Sequence, residues 1–78
     1  SMTGLVFVDS NVLLYAQDAR WPEKQAAARD WLATLWRTRT GRLSTQVLHA
    51  FFVSATQKPK PRLTEAAAWE YAQTFFAW

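Results

Sequence analysis

Leu5-Val6-Phe7-Val8-Asp9-Ser10-Asn11-Val12-Leu13-Leu14-Tyr15-Ala16 is the stretch from which the fold can be read. Leu5 to Val8 is an unbroken apolar run rich in β-branched residues, set between Gly4 and Asp9-Ser10-Asn11. Such a run fits a strand buried on both faces, as in a parallel sheet. Ser10 or Asn11 can cap a helix whose apolar body is Val12 to Ala16, ended by a turn around Asp18-Ala19-Arg20.

Working outward, Pro22 is placed to open a second helix, with Glu23 in its first turn. Ala28, Trp31, Leu32, Leu35 and Trp36 follow one helical face and predict its core stripe, and Gly41 is the expected stop. Arg42-Leu43-Ser44 reads as a short second strand. Ser44 or Thr45 then caps a third helix that buries Val47, Leu48, Phe51, Phe52 and Ala55, while Gln46, Ala50, Ser54 and Gln57 share another face. Lys58-Pro59-Lys60-Pro61 must be extended. Thr64 caps a fourth helix with Ala68, Trp69, Ala72, Phe75 and Phe76 on its core face.

The predicted order is β-α-α-β-α-α, an α/β arrangement in one domain spanning residues 1–78. Two short parallel strands make a poor sheet by themselves, and the last helix runs to Phe75-Phe76-Ala77-Trp78 without a cap. The expectation is therefore a truncated portion of a larger fold. Ser1-Met2 reads as a cloning remnant before a start methionine.

Half of the 78 residues are hydrophobic and 19% are charged, which is a globular composition. With no cysteine, disulfides and thiolate metal sites are excluded. No run is long enough for a signal-peptide core or a membrane span, so a cytoplasmic protein without a membrane partner is expected. Nine basic against six acidic residues give a net charge of +3, too modest to identify a polyanionic partner unaided.

Asp9 is the first chemical candidate. It stands where a parallel strand gives way to a helix, the edge at which ligands bind in open α/β sheets. A carboxylate beside the Ser10 hydroxyl and the Asn11 amide could hold a hard divalent cation. Equally, an aspartate in that place can simply cap the helix that follows.

Val6 to Tyr15, with Asp9 at the strand end, resembles the opening motif of PIN domains, in which that aspartate is a metal ligand. Lys24, Ala27, Trp31 and Leu32 look like the family's second helix, and Leu43-Ser44-Thr45-Gln46-Val47-Leu48 like its second strand and the start of its third helix. The resemblance runs through essentially the whole chain and points to the N-terminal part of a ribonuclease of the VapC toxin type. It implies a parallel sheet flanked by helices, an RNA substrate, Mg²⁺ or Mn²⁺ as cofactor and a cognate antitoxin as partner.

The family gathers several acids so that metal-bound water can attack a phosphodiester. Asp9 matches the first of these candidate catalytic positions, with Ser10, Asn11 and Thr45 as supporting polar groups. The glutamate expected on the third helix is replaced by Ala50, and the remaining acids are expected after the fourth helix. Ala50 reads either as a glutamate removed to tame a toxic nuclease or as natural decay of the site. One carboxylate holds Mg²⁺ poorly, so this chain is expected to be catalytically inactive.

Two basic clusters, Arg37, Arg39 and Arg42, and Lys58, Lys60 and Arg62, are candidates for contact with RNA phosphates, though cations are also favoured after helix C-termini. His49 reads as a rim histidine and Trp31, Trp36 and Trp69 as core, with Trp21 and Trp78 open to an interface. A non-catalytic module that self-associates, or binds an antitoxin, through exposed apolar surface is the rival reading. Haloacid-dehalogenase chemistry fits worse, because Asn11 stands where its second aspartate is needed.

Overall fold

The computed structural model describes residues 4–57 and 62–78. Its elements are β1 (Val6–Phe7), α1 (Ser10–Ala16), α2 (Pro22–Thr38), β2 (Gly41–Arg42), α3 (Thr45–Gln57) and α4 (Glu65–Gln73). The chain is mixed α/β and mostly helical, and the order of elements is the one read from the sequence. Lys58 and Lys60 lie outside the described residues.

β1 and β2 pair in parallel, Val6 opposite Gly41 and Phe7 opposite Arg42. The Val6 N–H donates to the Thr40 carbonyl at 2.8 Å and the Val8 N–H to that of Arg42 at 3.0 Å, so the ladder runs slightly past the strands. Val8 is buried and Val6 packs against the core, whereas Leu5 and Phe7 are 54% and 75% exposed. A strand covered on both faces is therefore corrected to a strand covered on one. Successive side chains alternate sides, and the helices shield only the Val6/Val8 side.

Helix starts follow local chemistry. Pro22 occupies the first turn of α2, where its missing N–H costs nothing. The Ser44 Oγ accepts from the Val47 N–H at 3.1 Å, and the Thr64 Oγ1 accepts from the Ala67 N–H at 3.0 Å, capping α3 and α4. The Ala16 carbonyl at the end of α1 accepts from Arg29 Nε at 2.8 Å and Gln25 Nε2 at 3.3 Å, which ties α1 to α2.

α2 does not stop at Gly41. Arg39 ends it in the left-handed conformation, φ 60° and ψ 30°, with its N–H bonded to the Trp36 carbonyl and the Thr40 N–H to that of Leu35. These two bonds form a Schellman turn, a position that glycine usually fills because a Cβ is disfavoured there. Gly41 instead lies in β2, which also begins one residue earlier than expected and ends at Arg42.

The core gathers Val8, Leu13, Leu32, Leu35, Phe51 and Phe75 around buried alanines of α1 to α4. Leu13 and Phe51 are fully enclosed, each worth roughly 1.5–3 kcal/mol of burial. Trp31, Trp36, Trp69 and Phe76, expected inside, are 41–61% exposed. Each lies at the margin of its helix stripe, where alanine or leucine already occupies the line of closest approach. After α4 the chain turns back, with the Phe75, Phe76 and Trp78 N–H groups bonded three residues upstream. Trp78 then stacks on Trp36 at 5.9 Å between ring centroids and meets Phe75 at 5.2 Å, so the run through Trp78 is a folded turn rather than continued helix.

Candidate functional site

The parallel register sets which side chains share an edge of the sheet. Past Phe7–Arg42 the Val8 N–H still bonds to the Arg42 carbonyl, so Asp9 follows directly on the carboxyl end of the paired stretch. Asp9 is the N-cap residue of α1, in extended conformation, yet its carboxylate caps none of the helix amides. It is exposed, and its side chain accepts only a long bond, 3.4 Å, from the neighbouring Ser10 hydroxyl. The carboxylate of Asp9 is thus not consumed by local structure and can meet an external cation.

The supporting groups are less well gathered. Ser10 is half-buried beside Asp9. Asn11 is exposed and lines a cleft of about 240 Å³ with Tyr15, Asp18, Trp21 and Ser54. Thr45 opens α3 but lines a different, apolar groove between α3 and α4, together with Leu48, His49, Phe52, Trp69 and Phe76. No hydrogen bond among the described residues joins Asn11 or Thr45 to Asp9. His49 is exposed on the rim of that groove, as expected.

Ala50 is exposed on α3 and falls one turn before Ser54, on the face that borders the Asn11 cleft. A methyl group there offers no ligand. Among the described residues no three His, Asp or Glu side chains converge as a metal cage would require. The donor set around Asp9, one carboxylate and a serine hydroxyl, does not fit a tightly held Mg²⁺ or Mn²⁺.

The arginines lie elsewhere. Arg37 and Arg39 lie at the end of α2, ahead of β2, whereas Arg42 closes β2 opposite Phe7. The Arg42 side chain turns back toward the end of α2, its Nη1 donating to the Arg39 carbonyl at 3.1 Å and the Gly41 carbonyl at 2.7 Å. Arg39 and Arg42 line a cleft that does not include Asp9.

Three ionisable groups are shifted among the described residues, Asp18, Arg20 and Tyr71. The Arg20 guanidinium holds the Asp18 carboxyl below its usual range through a paired contact, with Nη2 to Oδ2 at 2.9 Å. Burial pushes the Tyr71 phenol up, with Gln17 and Arg29 partly opposing. Tyr71 went unnoticed in the sequence because only its packing against Phe51, at 5.3 Å, and Phe75, at 5.2 Å, encloses it.

Among the described residues no helix is long and apolar enough to cross a membrane. The chain matches no family model, no curated protein and no solved structure.

Proposed function

We propose that this chain is a PIN-like portion of a ribonuclease of the VapC toxin type, left without catalytic activity because Asp9 is its one matching carboxylate, with Ala50 at the usual glutamate position and the family's later acids not among its residues. The observation that carries the reading is the Asp9 carboxylate at the carboxyl edge of a parallel strand pair, where it caps none of the amides of α1. In the parent family Mg²⁺ or Mn²⁺ supplies the attacking hydroxide and neutralises phosphate charge. Here Asp9 matches one ligand of that set, Ser10 and Asn11 follow it in sequence, and Ala50 stands where the family carries a glutamate. RNA is the parent substrate and a cognate antitoxin the parent partner.

The test restores what is missing. Ala50→Glu is expected to tighten Mn²⁺ binding, measured by calorimetry, by about tenfold or more, since affinity for hard cations rises with the number of charged ligands. Asp9→Ala in the same background should abolish the gain. The unaltered chain should show no metal-stimulated RNA cleavage. An Ala50→Glu chain with unchanged Mn²⁺ affinity, or cleavage by the unaltered chain that Asp9→Ala removes, overturns the reading.

A second reading is favoured by a separate observation. Leu5 and Phe7 stand bare on the open side of the sheet, and Trp69 and Phe76, in edge-to-face contact at 5.8 Å, flank the apolar α3–α4 groove. Contiguous exposed apolar surface of this kind marks association. Sedimentation should show a dimer or larger species that Trp69→Lys weakens. A monomer at all concentrations excludes it.

A further inference from the structure

The arginines around the junction of α2 and β2 have a construction of their own. Between Trp36, Arg39, Gly41, Arg42 and Trp78 lies a cleft of about 250 Å³. Its aromatic side is the Trp36–Trp78 stack. Its cationic side is Arg39, whose guanidinium lies 4.8 Å from the Trp36 ring centroid, and Arg42; Arg37, two residues before Arg39, lies outside its lining. None of these three arginines is ion-paired with a carboxylate among the described residues. Arg42 spends hydrogen bonds on two backbone carbonyls, but these do not neutralise its charge.

Arg39 adds a second observation. It occupies the left-handed position of the Schellman turn and is the one described non-glycine residue with positive φ. Glycine would hold that turn at lower cost, so the turn itself does not call for arginine. What the arginine adds is a guanidinium aimed over Trp36 at the mouth of the cleft.

We propose that this cleft binds single-stranded nucleic acid, a phosphate being held by Arg39 and Arg42 and an adjacent base lying against the Trp36–Trp78 surface. Guanidinium pairs suit phosphate oxygens, and aromatic faces stack bases without regard to sequence. An acidic peptide offers carboxylates for the arginines but no planar group for the indoles, so the observations favour the nucleic acid. The site includes none of Asp9, Ser10 and Asn11 and needs no metal. It therefore stands or falls independently of the nuclease reading.

The experiment is anisotropy of a labelled oligouridine with the whole chain, in EDTA and across a salt series, beside a polyglutamate peptide. Arg39→Gly is the decisive variant, because it removes the guanidinium while suiting the left-handed turn. It is expected to keep or raise the thermal midpoint, to weaken oligouridine binding roughly three- to tenfold, and to reduce the salt slope by about 0.7 for the lost phosphate contact on a single strand. Arg42→Lys, which keeps the charge, should weaken binding less than Arg42→Gln. Oligouridine binding that is unaffected by Arg39→Gly in a folded chain, binding that vanishes in EDTA, or equal binding of polyglutamate each overturns the proposal.

Discussion

The indole of Trp78 lies over the Cα of Gly41 and fills the space a side chain there would need. A Cβ on Gly41 would overlap that ring and come within 2.9 Å of the Leu35 Cβ. The last residue of the chain is thus fitted to the first residue of β2. Gly41→Ala should cost about 1–3 kcal/mol by overpacking, read from urea unfolding. In a Trp78→Ala background the same substitution should cost distinctly less, leaving only the Leu35 conflict. Equal costs in the two backgrounds would show that Trp78 does not occupy this space in solution.

Phe51 and Trp31 make a contrasting pair. Phe51→Ala should remove about 3–5 kcal/mol, a large part of the stability of a domain this small. Thermal unfolding followed by circular dichroism should show its cooperative transition lost or shifted far down. Trp31 is 54% exposed, and Trp31→Ser should change stability by no more than about 0.5 kcal/mol. A cost for Trp31→Ser comparable with that of Phe51→Ala would return Trp31 to the core.

Tyr71 gives the fold an alkaline limit. Burial favours its neutral form, so its folded pKa lies above the ordinary value of about 10. Its contribution is complete below the unfolded pKa and is lost as pH rises toward and through the folded one. Denaturation midpoints should therefore fall above about pH 10. In Tyr71→Phe, which keeps the ring against Phe51 and Phe75, that part of the fall should be absent. An identical alkaline decline in the variant would place the responsible group elsewhere.

Much of the architecture was legible in the sequence because it rests on local chemistry. Pro22, Ser44 and Thr64 mark helix starts through backbone donors that need a partner or lack one, and these act over three or four residues. Asp9 was legible for the same reason, as the polar residue that closes an apolar strand. The tryptophans were not. Periodicity assigns Trp31, Trp36 and Trp69 to a face, but a chain of this size has no second layer to enclose their outer rims, and alanines take the closest contacts. The end of α2 was also hidden, since nothing in Arg37-Thr38-Arg39-Thr40 signals a left-handed arginine. The register of β1 on β2 was hidden as well, because pairing is a relation between distant segments.

That pairing also orders the folding events. Val6 meets Gly41 only after the intervening α1–α2 hairpin, pinned at the Ala16 carbonyl, has brought the ends of a long loop together. Helical contacts within the hairpin are short-range and form early, whereas the two-rung ladder joins segments far apart in sequence. The strands are therefore the late-closing clasp of the molecule. In native-state hydrogen exchange the Val6 and Val8 amides should open together, at a lower free energy than the interior amides of α2, without the helices unfolding.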